Sequence, residues 1–220
     1  MPVKLHWFLP TYGDSRLIVG GGHGTPAGAA HSDRDASIDY LASIVRTAES
    51  FGFTGALIPT GAWCEDAFVT AAMLARETTS LAFLVAFRPG LVSPTLSAQM
   101  AATFARHAPG RILLNVVVGG EAHEQRAFGD HLEKDARYQR ADEFLDVVNR
   151  LWAGETVTAH GEHISVDEAS LATLASATRN LSRYWRDART HTLHDATRWK
   201  IQHIGRFTLS GARPPRHGQL

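Results

Sequence analysis

The strongest constraint on the fold is a repeating order of short apolar segments and longer amphipathic segments between residues 3 and 118. Four apolar segments rich in β-favouring residues predict strands, and three segments with apolar residues spaced three and four apart predict helices between them. Such alternation favours a parallel sheet over an all-α or antiparallel arrangement. The predicted strands are residues 3–9, 53–59, 80–87 and 111–118, and the predicted helices are residues 37–51, 66–77 and 93–108.

The composition of the predicted strands also predicts where they lie. The first, third and fourth are almost uniformly apolar, so we expect both of their faces to be buried. A glycine-rich stretch follows the first strand and predicts a long loop. After the fourth strand, residues 121–129 predict a short helix, residues 136–152 predict a strong amphipathic helix, and residues 156–158 and 163–166 predict a hairpin.

Composition and charge narrow the class of protein. The chain has 220 residues, 44% of them apolar, with 22 basic and 22 acidic side chains, so its total charge gives no argument for binding nucleic acid or an anionic membrane. A single cysteine excludes an internal disulfide, and the chain has neither a secretory leader pattern nor about 18 consecutive apolar residues. We therefore expect a cytoplasmic protein that contacts no membrane.

The charge is unevenly divided. From residue 170 to residue 220 there are eight arginines and one lysine against two aspartates, a net charge of +7, which leaves −7 for the remainder. This basic tail shows no strand and helix alternation. It matches the composition of a GC-rich coding region read out of frame, and the alternative is an RNA- or membrane-binding arm. We place the boundary at residue 168 and interpret residues 169–220 as a frameshift product.

Six sequence blocks between residues 3 and 168 identify a resemblance: FLPTYGDSR, LIPTGAWCEDAF, FLVAFRPGLVSPT, ILLNVVVGG, RYQRADEFL and GEHISV. In order and spacing they resemble the flavin-dependent alkanesulfonate monooxygenases of the bacterial luciferase-like superfamily. The resemblance implies a TIM (β/α)8 barrel that uses FMNH2 and O2 to cleave the C–S bond of a sulfonate, releasing an aldehyde and sulfite. It also implies a separate NAD(P)H-dependent flavin reductase that supplies FMNH2. The four strand and helix units of residues 1–168 would then be an incomplete barrel, about half of eight, followed by a non-homologous basic tail.

Two residues are candidates for catalysis. Cys64 follows the second predicted strand, and the resemblance implies that it lines the active site, although a single cysteine is otherwise more often a buried core residue. Arg88 follows the third strand, where an arginine suits an anionic reduced flavin or a sulfonate. The alternative for Arg88 is a surface arginine paired with a loop carboxylate.

Four further residues are candidates for binding FMN under the resemblance: Thr60, Asn115, Arg137 and Tyr138. Thr60 could instead cap the segment before the second helix, and Asn115, a polar residue within an apolar strand, could instead bond a backbone carbonyl. Tyr138 could be a packing residue. No metal site is predicted, because the histidines of the glycine-rich loop lack the spacing of ligand sets.

Three functions remain in competition. The first is the truncated monooxygenase, and the second is a catalytically inactive flavin-binding or structural remnant of the same family. The third, a nucleic-acid binder acting through the basic tail, ranks lowest because the tail carries no RNA-binding motif. Half a barrel also leaves strand edges unpaired, which a homo-oligomer would cover.

Overall fold

The computed structural model describes residues 4–13, 34–119 and 121–172. Within these ranges there are six strands and five helices in an order that begins β, α, β, α, β, α, β, as predicted. The strands are β1 His6–Phe8, β2 Gly55–Ile58, β3 Ala82–Phe87, β4 Ile112–Val116, β5 Val157–His160 and β6 Ser165–Ala169. The helices are α1 Ile38–Ser50, α2 Ala67–Leu74, α3 Pro94–His107, α4 Ala122–Ala127 and α5 Lys134–Ala153.

The first four strands form one parallel sheet in the order β1-β2-β3-β4. The predicted α/β class and parallel sheet are therefore confirmed. The register sets four apolar residues side by side across the sheet, one from each strand, and we call them the inner row: Phe8, Leu57, Leu84 and Leu113. Because all four strands run in the same direction, their carboxyl ends lie at one rim of the sheet.

The two faces of this sheet differ in burial. On the outer face, Phe83 and Val85 of β3 and Ile112 of β4 are buried against the helices. On the other face, Leu84 and Leu113 of the inner row are only half-buried among the described residues. The prediction that β3 and β4 are buried on both faces is therefore wrong within this part of the chain. Alternate side chains of a strand point to opposite faces, so an apolar strand need not be covered twice.

The prediction for β1 is wrong in the same way. It spans three residues instead of seven, and two of them, Trp7 and Phe8, are each 45% exposed. Trp7 makes an edge-to-face contact with Phe53, with ring centroids 5.4 Å apart. The first strand lies at the edge of the sheet, so only one neighbour within the described residues covers it.

Side-chain caps explain where the first three helices begin. Ser37, Asp66 and Ser93 are the N-cap residues of α1, α2 and α3, and each accepts a hydrogen bond from a backbone N–H in the first turn. Pro94 occupies the first turn of α3, where a missing N–H costs nothing. Asp66 caps α2 itself, and the alternative role considered for Thr60, capping the segment before this helix, stays a prediction.

Helix α5 joins the sheet to the hairpin of β5 and β6. The indole Nε1 of Trp152 donates to the carbonyl of Ala98 on α3 across 3.0 Å, in the fully buried core. The carboxylate of Glu143 accepts hydrogen bonds from three consecutive backbone N–H groups of the hairpin turn, residues 162–164. Burial acts to raise the pKa of Glu143, but these hydrogen bonds lower it below the usual value.

Glu49, at the end of α1, holds the turn before β3 in a similar way. Its carboxylate accepts from the backbone N–H groups of Thr79, Ser80 and Leu81 and from the Ser80 hydroxyl. Burial acts to raise the pKa of Glu49, and the hydrogen bonds outweigh it and lower the pKa to about 2. The contribution of this carboxylate to stability is therefore complete above its ordinary pKa and is lost as the pH falls toward about 2.

We expect Glu49→Gln to lower the free energy of unfolding by about 1–3 kcal/mol at pH 7, because a neutral amide accepts these bonds less strongly. The deficit should shrink below about pH 4.5, where the unfolded wild-type chain takes up a proton that the folded chain resists. Urea unfolding at several pH values measures both effects. Glu162→Gln removes an exposed carboxylate and is the control. If the loss of unfolding free energy in Glu49→Gln were the same at every pH, the negative charge of Glu49 would not be its cause.

Two kinds of feature are absent from the residues that the structure describes. No helix there is both long enough and apolar enough to cross a bilayer. The same residues contain no cluster of three or more His, Cys, Asp or Glu side chains placed to hold a metal ion. Most of the predicted tail, from residue 173 onward, lies outside the described residues, so its boundary at residue 168 stays a prediction.

Candidate active site

The candidate site lies where β2, β3 and β4 end. The loop after β2 carries Thr60 and Cys64, the loop after β3 begins with Arg88, and Asn115 is the penultimate residue of β4. Since the sheet is parallel, these ends share one rim, which is the usual location of binding sites in such folds. The sheet thus gathers residues that are up to 55 positions apart in the sequence.

Arg88 is the charged centre of this rim. Its side chain is 5% exposed, and its Nη2 donates to the carboxylate of Glu124, on α4, across 2.7 Å. The guanidinium also lies 5.2 Å from the ring centroid of Phe128. Arg88 is therefore paired with a carboxylate, as the alternative interpretation had it, but it is buried and is not a surface residue.

Two nitrogen atoms of Arg88 remain unsatisfied. Its Nε and Nη1 are buried and have no hydrogen-bond acceptor among the described residues. A guanidinium presents five N–H donors and is always charged, and leaving buried donors unpaired is unfavourable. The unpaired donors of Arg88 are thus suited to an additional acceptor, preferably an anionic one.

Glu124 connects Arg88 to the loop after β2. Its Oε2 accepts from Arg88, while its Oε1 accepts from the backbone N–H of Ala62 across 3.1 Å. A Cβ atom on Gly61 would lie 2.7 Å from the same Oε1 and closer still to the Trp63 indole, so a larger residue here would displace these side chains. One carboxylate therefore fixes the cation and the cysteine loop relative to each other.

Cys64 lies in this loop with its thiol partly buried. The Sγ donates weakly to the carbonyl of Gly61 across 3.5 Å. The pKa of the Cys64 thiol is raised to about 11, chiefly by burial and also by the carboxylates of Glu124 and Glu65, while the Thr11 hydroxyl and Arg88 act to lower it. The structure places Cys64 beside Arg88 at the rim and not in the core, and it keeps the side chain a neutral thiol at neutral pH.

We expect the Cys64 thiol to be slow to alkylate. Only the thiolate attacks iodoacetamide, and at pH 8 about one thiol in 1,000 is ionised when the pKa is about 11. The rate should rise about tenfold per pH unit without levelling off below pH 10. Mass spectrometry of the chain measures the rate at a single site, since Cys64 is the only cysteine. Free glutathione is the control. If the alkylation rate of Cys64 levelled off near the pKa of glutathione, the prediction would be contradicted.

Two aromatic residues close the outer side of the cysteine loop. Tyr12, which follows β1, and Trp63 make an edge-to-face contact with ring centroids 5.3 Å apart. The backbone N–H of Glu65 donates to the carbonyl of Thr11 across 2.9 Å, which ties the same two loops together. The loops after β1 and β2 therefore form one wall of the rim.

Asn115 differs from its prediction. It pairs in register with Ala86 of β3, above Leu113 of the inner row, and it is only half-buried. The argument that burial forces Asn115 to find a partner therefore does not hold within the described residues. Its side chain faces the same open side of the sheet as the inner row, because it lies two residues beyond Leu113 in the strand.

Arg137 and Tyr138 lie in the first turns of α5, where Arg137 donates to the carbonyl of Leu132 and not to a residue of the rim. They are placed near the rim by Arg140, one turn further along the helix. Arg140 forms a buried ion pair with Asp130 at 2.6 Å, and a Cβ atom on Gly90, which has φ of +95°, would collide with the Arg140 side chain. The amino end of α5 therefore packs against the loop that begins with Arg88.

The sequence prediction missed both carboxylates that organise the rim. Glu124 is 36 residues from Arg88, and nothing in its local sequence marks it as the partner. Asp130 accepts hydrogen bonds from Arg140 and from the backbone N–H of Leu132, which hold the pKa of Asp130 below its ordinary value despite burial. The two buried ion pairs become visible only once α4 and α5 are placed on the sheet.

With this geometry in place, comparison with known proteins identifies the family. A family model described as luciferase-like monooxygenase matches residues 3–182. The chain therefore belongs to the luciferase-like monooxygenase family. The superfamily in the predicted resemblance is confirmed by this match.

Solved structures share the fold. The chain is similar to long-chain alkane monooxygenase (LadA), with 18% identity and a TM-score of 0.63 over 79% of this chain and 49% of that one. It is similar to riboflavin lyase (RcaE), determined with modified FMN and riboflavin, with 20% identity and a TM-score of 0.66 over 80% and 48%. It is also similar to an F420-dependent secondary alcohol dehydrogenase, with 18% identity and a TM-score of 0.62 over 80% and 50%. The chain thus spans about half the length of the structures it matches.

Proposed function

We propose that this chain carries the amino-terminal half of an FMNH2- and O2-dependent monooxygenase that cleaves the C–S bond of alkanesulfonates to give an aldehyde and sulfite. The observation that supports this most directly is Arg88, a buried cation at the strand ends with two nitrogen atoms that lack an acceptor among the described residues. A sulfonate carries three oxygen acceptors on a tetrahedral sulfur, a reduced flavin carries its negative charge on the ring system, and a guanidinium fork suits either anion.

The rim residues fit a flavin in chemical type. Arg88 could bind the anionic ring system, with Thr60 and Asn115 as neutral polar neighbours. Arg137 and Tyr138 could bind the phosphate at the amino end of α5, where no side chain caps the helix and the N–H groups favour an anion. When bound, FMN would supply the redox chemistry with O2. These assignments, like those of Cys64 and Arg88 in catalysis, are proposals.

The protein's own groups have separate tasks in this proposal. Arg88 binds and orients the anion, and Glu124 holds Arg88 in place. Cys64 acts as a neutral hydrogen-bond donor and not as a nucleophile, because its thiol stays protonated at neutral pH. The contact of Tyr12 with Trp63 holds the loop that carries Cys64 against the loop after β1.

The rest of the first proposal concerns the whole protein. We propose that residues 1–168 form half of a (β/α)8 barrel and that the basic tail from residue 169 does not belong to it, although the family match extends to residue 182. An NAD(P)H-dependent flavin reductase would supply FMNH2, in the cytoplasm. The family match and the parallel sheet support the barrel, and the alternating burial of β3 and β4 fits a sheet whose inner side faces further strands.

A second candidate is a flavin-binding member of the family that lacks monooxygenase activity. The half-buried inner row favours this second candidate, since the described helices cover only one side of the sheet. F420 is the alternative cofactor to FMN, because one matched structure contains modified FMN and another is F420-dependent.

The test uses the purified 220-residue chain with a flavin reductase, NADH, FMN, O2 and octanesulfonate. The proposal expects sulfite above the reaction without the chain, and at least about tenfold less sulfite from Arg88→Lys, which keeps the charge but loses the fork. Arg106→Lys, an exposed arginine, is the matched control.

Cofactor binding is measured separately by titrating the chain with FMN and with F420 and following fluorescence. FMN binding without sulfite release favours the second candidate. The absence of both binding and sulfite contradicts both candidates, and preferential binding of F420 contradicts the choice of FMN.

A further inference from the structure

Aromatic side chains lie at both ends of the ion pair between Arg88 and Glu124. At the Arg88 end, the guanidinium carbon lies over the ring of Phe128, 5.2 Å from the ring centroid. At the Glu124 end, the Trp63 indole and the Oε1 atom of Glu124 meet above Gly61. A Cβ atom placed on this glycine would lie 2.7 Å from Oε1 and 2.8 Å from Cδ1 of the indole. The two ring systems thus border the charged centre of the rim.

Phe128 is accessible although it lies against a buried cation. It is 41% exposed, whereas the side chain of Arg88 is 5% exposed. Phe128 is the C-cap residue of α4, and its backbone N–H makes the capping hydrogen bonds, so the cap does not account for an aromatic side chain. The ring covers one face of the guanidinium and leaves the N–H groups at its edge free to bind an acceptor. An anion that bound the unpaired Nε and Nη1 of Arg88 would therefore lie next to this ring.

The Trp63 indole is held in place by its neighbours. It makes the edge-to-face contact with Tyr12, and the backbone hydrogen bond from Glu65 to Thr11 ties together the two loops that carry these rings. Both rings are only half-buried, so each keeps an accessible part. Aromatic side chains fixed in this way can bind a planar ring through edge-to-face or offset stacked contacts, which an aliphatic chain cannot make.

We propose that Phe128 and Trp63 determine substrate specificity, and that the substrates of this chain are arylalkanesulfonates. The sulfonate would bind the free N–H groups of Arg88, and the aromatic ring of the substrate would pack against these two side chains. The inference rests on the proposed function, because it names the carbon part of the anion that Arg88 is proposed to bind.

The chemistry of the proposed reaction restricts the substrate further. The C–S bond breaks, and one oxygen of O2 becomes the aldehyde oxygen. The other oxygen leaves as water with the two hydrogens and two electrons of FMNH2. The sulfur leaves as sulfite, and the carbon gives up one hydrogen as a proton. A ring bonded directly to sulfur has no hydrogen on that carbon, so at least one CH2 group must separate the ring from the sulfonate.

The first experiment measures kcat/KM for sulfite release with flavin reductase, NADH, FMN and O2. It compares phenylmethanesulfonate with cyclohexylmethanesulfonate, which has the same number of carbon atoms but no aromatic ring. We expect the full chain to prefer the aromatic substrate by about three- to tenfold, the usual range for one or two aromatic contacts. Phe128→Leu and Trp63→Leu should bring the ratio close to one, and Phe128→Tyr, which keeps the ring, should preserve it.

Phe51→Leu is the matched control. Phe51 is also the C-cap residue of a helix, α1, and is 79% exposed, so this variant should keep the wild-type ratio. A merely structural effect would change kcat/KM for both sulfonates alike and leave the ratio as it was. Equal values for the two sulfonates in the wild-type protein, or a preference that survives in both leucine variants at the rim, overturns the proposal.

The second experiment measures binding without turnover, by calorimetric titration of the full chain with the same two sulfonates. If neither sulfonate is cleaved, the proposed function fails, and the titration decides the specificity of the rim by itself. Tighter binding of phenylmethanesulfonate, lost in Phe128→Leu and Trp63→Leu, supports the proposal. Equal binding of the two sulfonates, or no binding of either, overturns it. Titration with FMN tests the other planar ligand: weaker FMN binding in these variants with an unchanged sulfonate preference assigns the rings to the flavin and overturns the proposal.

Discussion

Replacing Glu124 with alanine is expected to lower the free energy of unfolding by about 3–5 kcal/mol, the usual cost of removing one partner from a buried ion pair. The side chains of Arg88 and Glu124 are 5% and 13% exposed, so the arginine left behind would be a desolvated cation without a counter-ion. The backbone N–H of Ala62 would lose its acceptor as well. Urea unfolding at pH 7 measures the change.

Two further variants separate the charge from the volume. Glu121→Ala, an exposed glutamate at the start of α4, should have little effect. The double variant Arg88→Met with Glu124→Leu removes both charges and should be considerably more stable than Glu124→Ala alone, because apolar replacement leaves no buried charge behind. If Glu124→Ala cost less than about 1 kcal/mol, the pair would not be the structural centre of the rim.

Phe144→Ala is expected to have a comparable effect for a different reason. Phe144 of α5 is fully buried and lies against Phe87, the last residue of β3, with ring centroids 6.1 Å apart. Deleting a buried phenylalanine leaves a cavity and typically costs about 3–5 kcal/mol. Because Phe87 directly precedes Arg88, the same change should loosen the rim.

Thermal and urea unfolding of Phe144→Ala give the magnitude, and Phe51→Ala is the matched control. Phe51 is 79% exposed, so its removal should alter stability by no more than about 0.5 kcal/mol. Equal effects at the two positions would contradict the packing of α5 against β3.

Local sequence was sufficient to predict where the strands and helices lie, but not which of their side chains are buried. The spacing of apolar residues located β3, α3 and α5 to within two residues at each end, because strand and helix periods are local properties. Burial is not local. Leu84 and Leu113 are as apolar as their neighbours, yet they face the side of the sheet that the described helices do not cover.

In the candidate site, too, the sequence predicts the positions of some residues, and tertiary packing decides their partners. Thr60, Cys64, Arg88 and Asn115 could be placed at one rim from the sequence, because parallel strands bring successive loops together. The partner of Arg88 could not, since Glu124 reaches it from a short helix whose position depends on tertiary packing. The raised pKa of Cys64 was also beyond the sequence, because it follows from burial and from the carboxylates around the thiol.

The half-buried inner row has a consequence for the strength of electrostatic binding at the rim. Phe8, Leu57, Leu84 and Leu113 lie directly beneath the level of Asn115, so whatever covers them also decides how much water reaches the underside of a bound anion. Two unit charges 4 Å apart attract by about 1 kcal/mol in bulk water and by about 4 kcal/mol at an effective dielectric constant near 20. In the proposed function, the affinity of Arg88 for an anion would therefore depend in part on what covers a row of side chains that carry no charge.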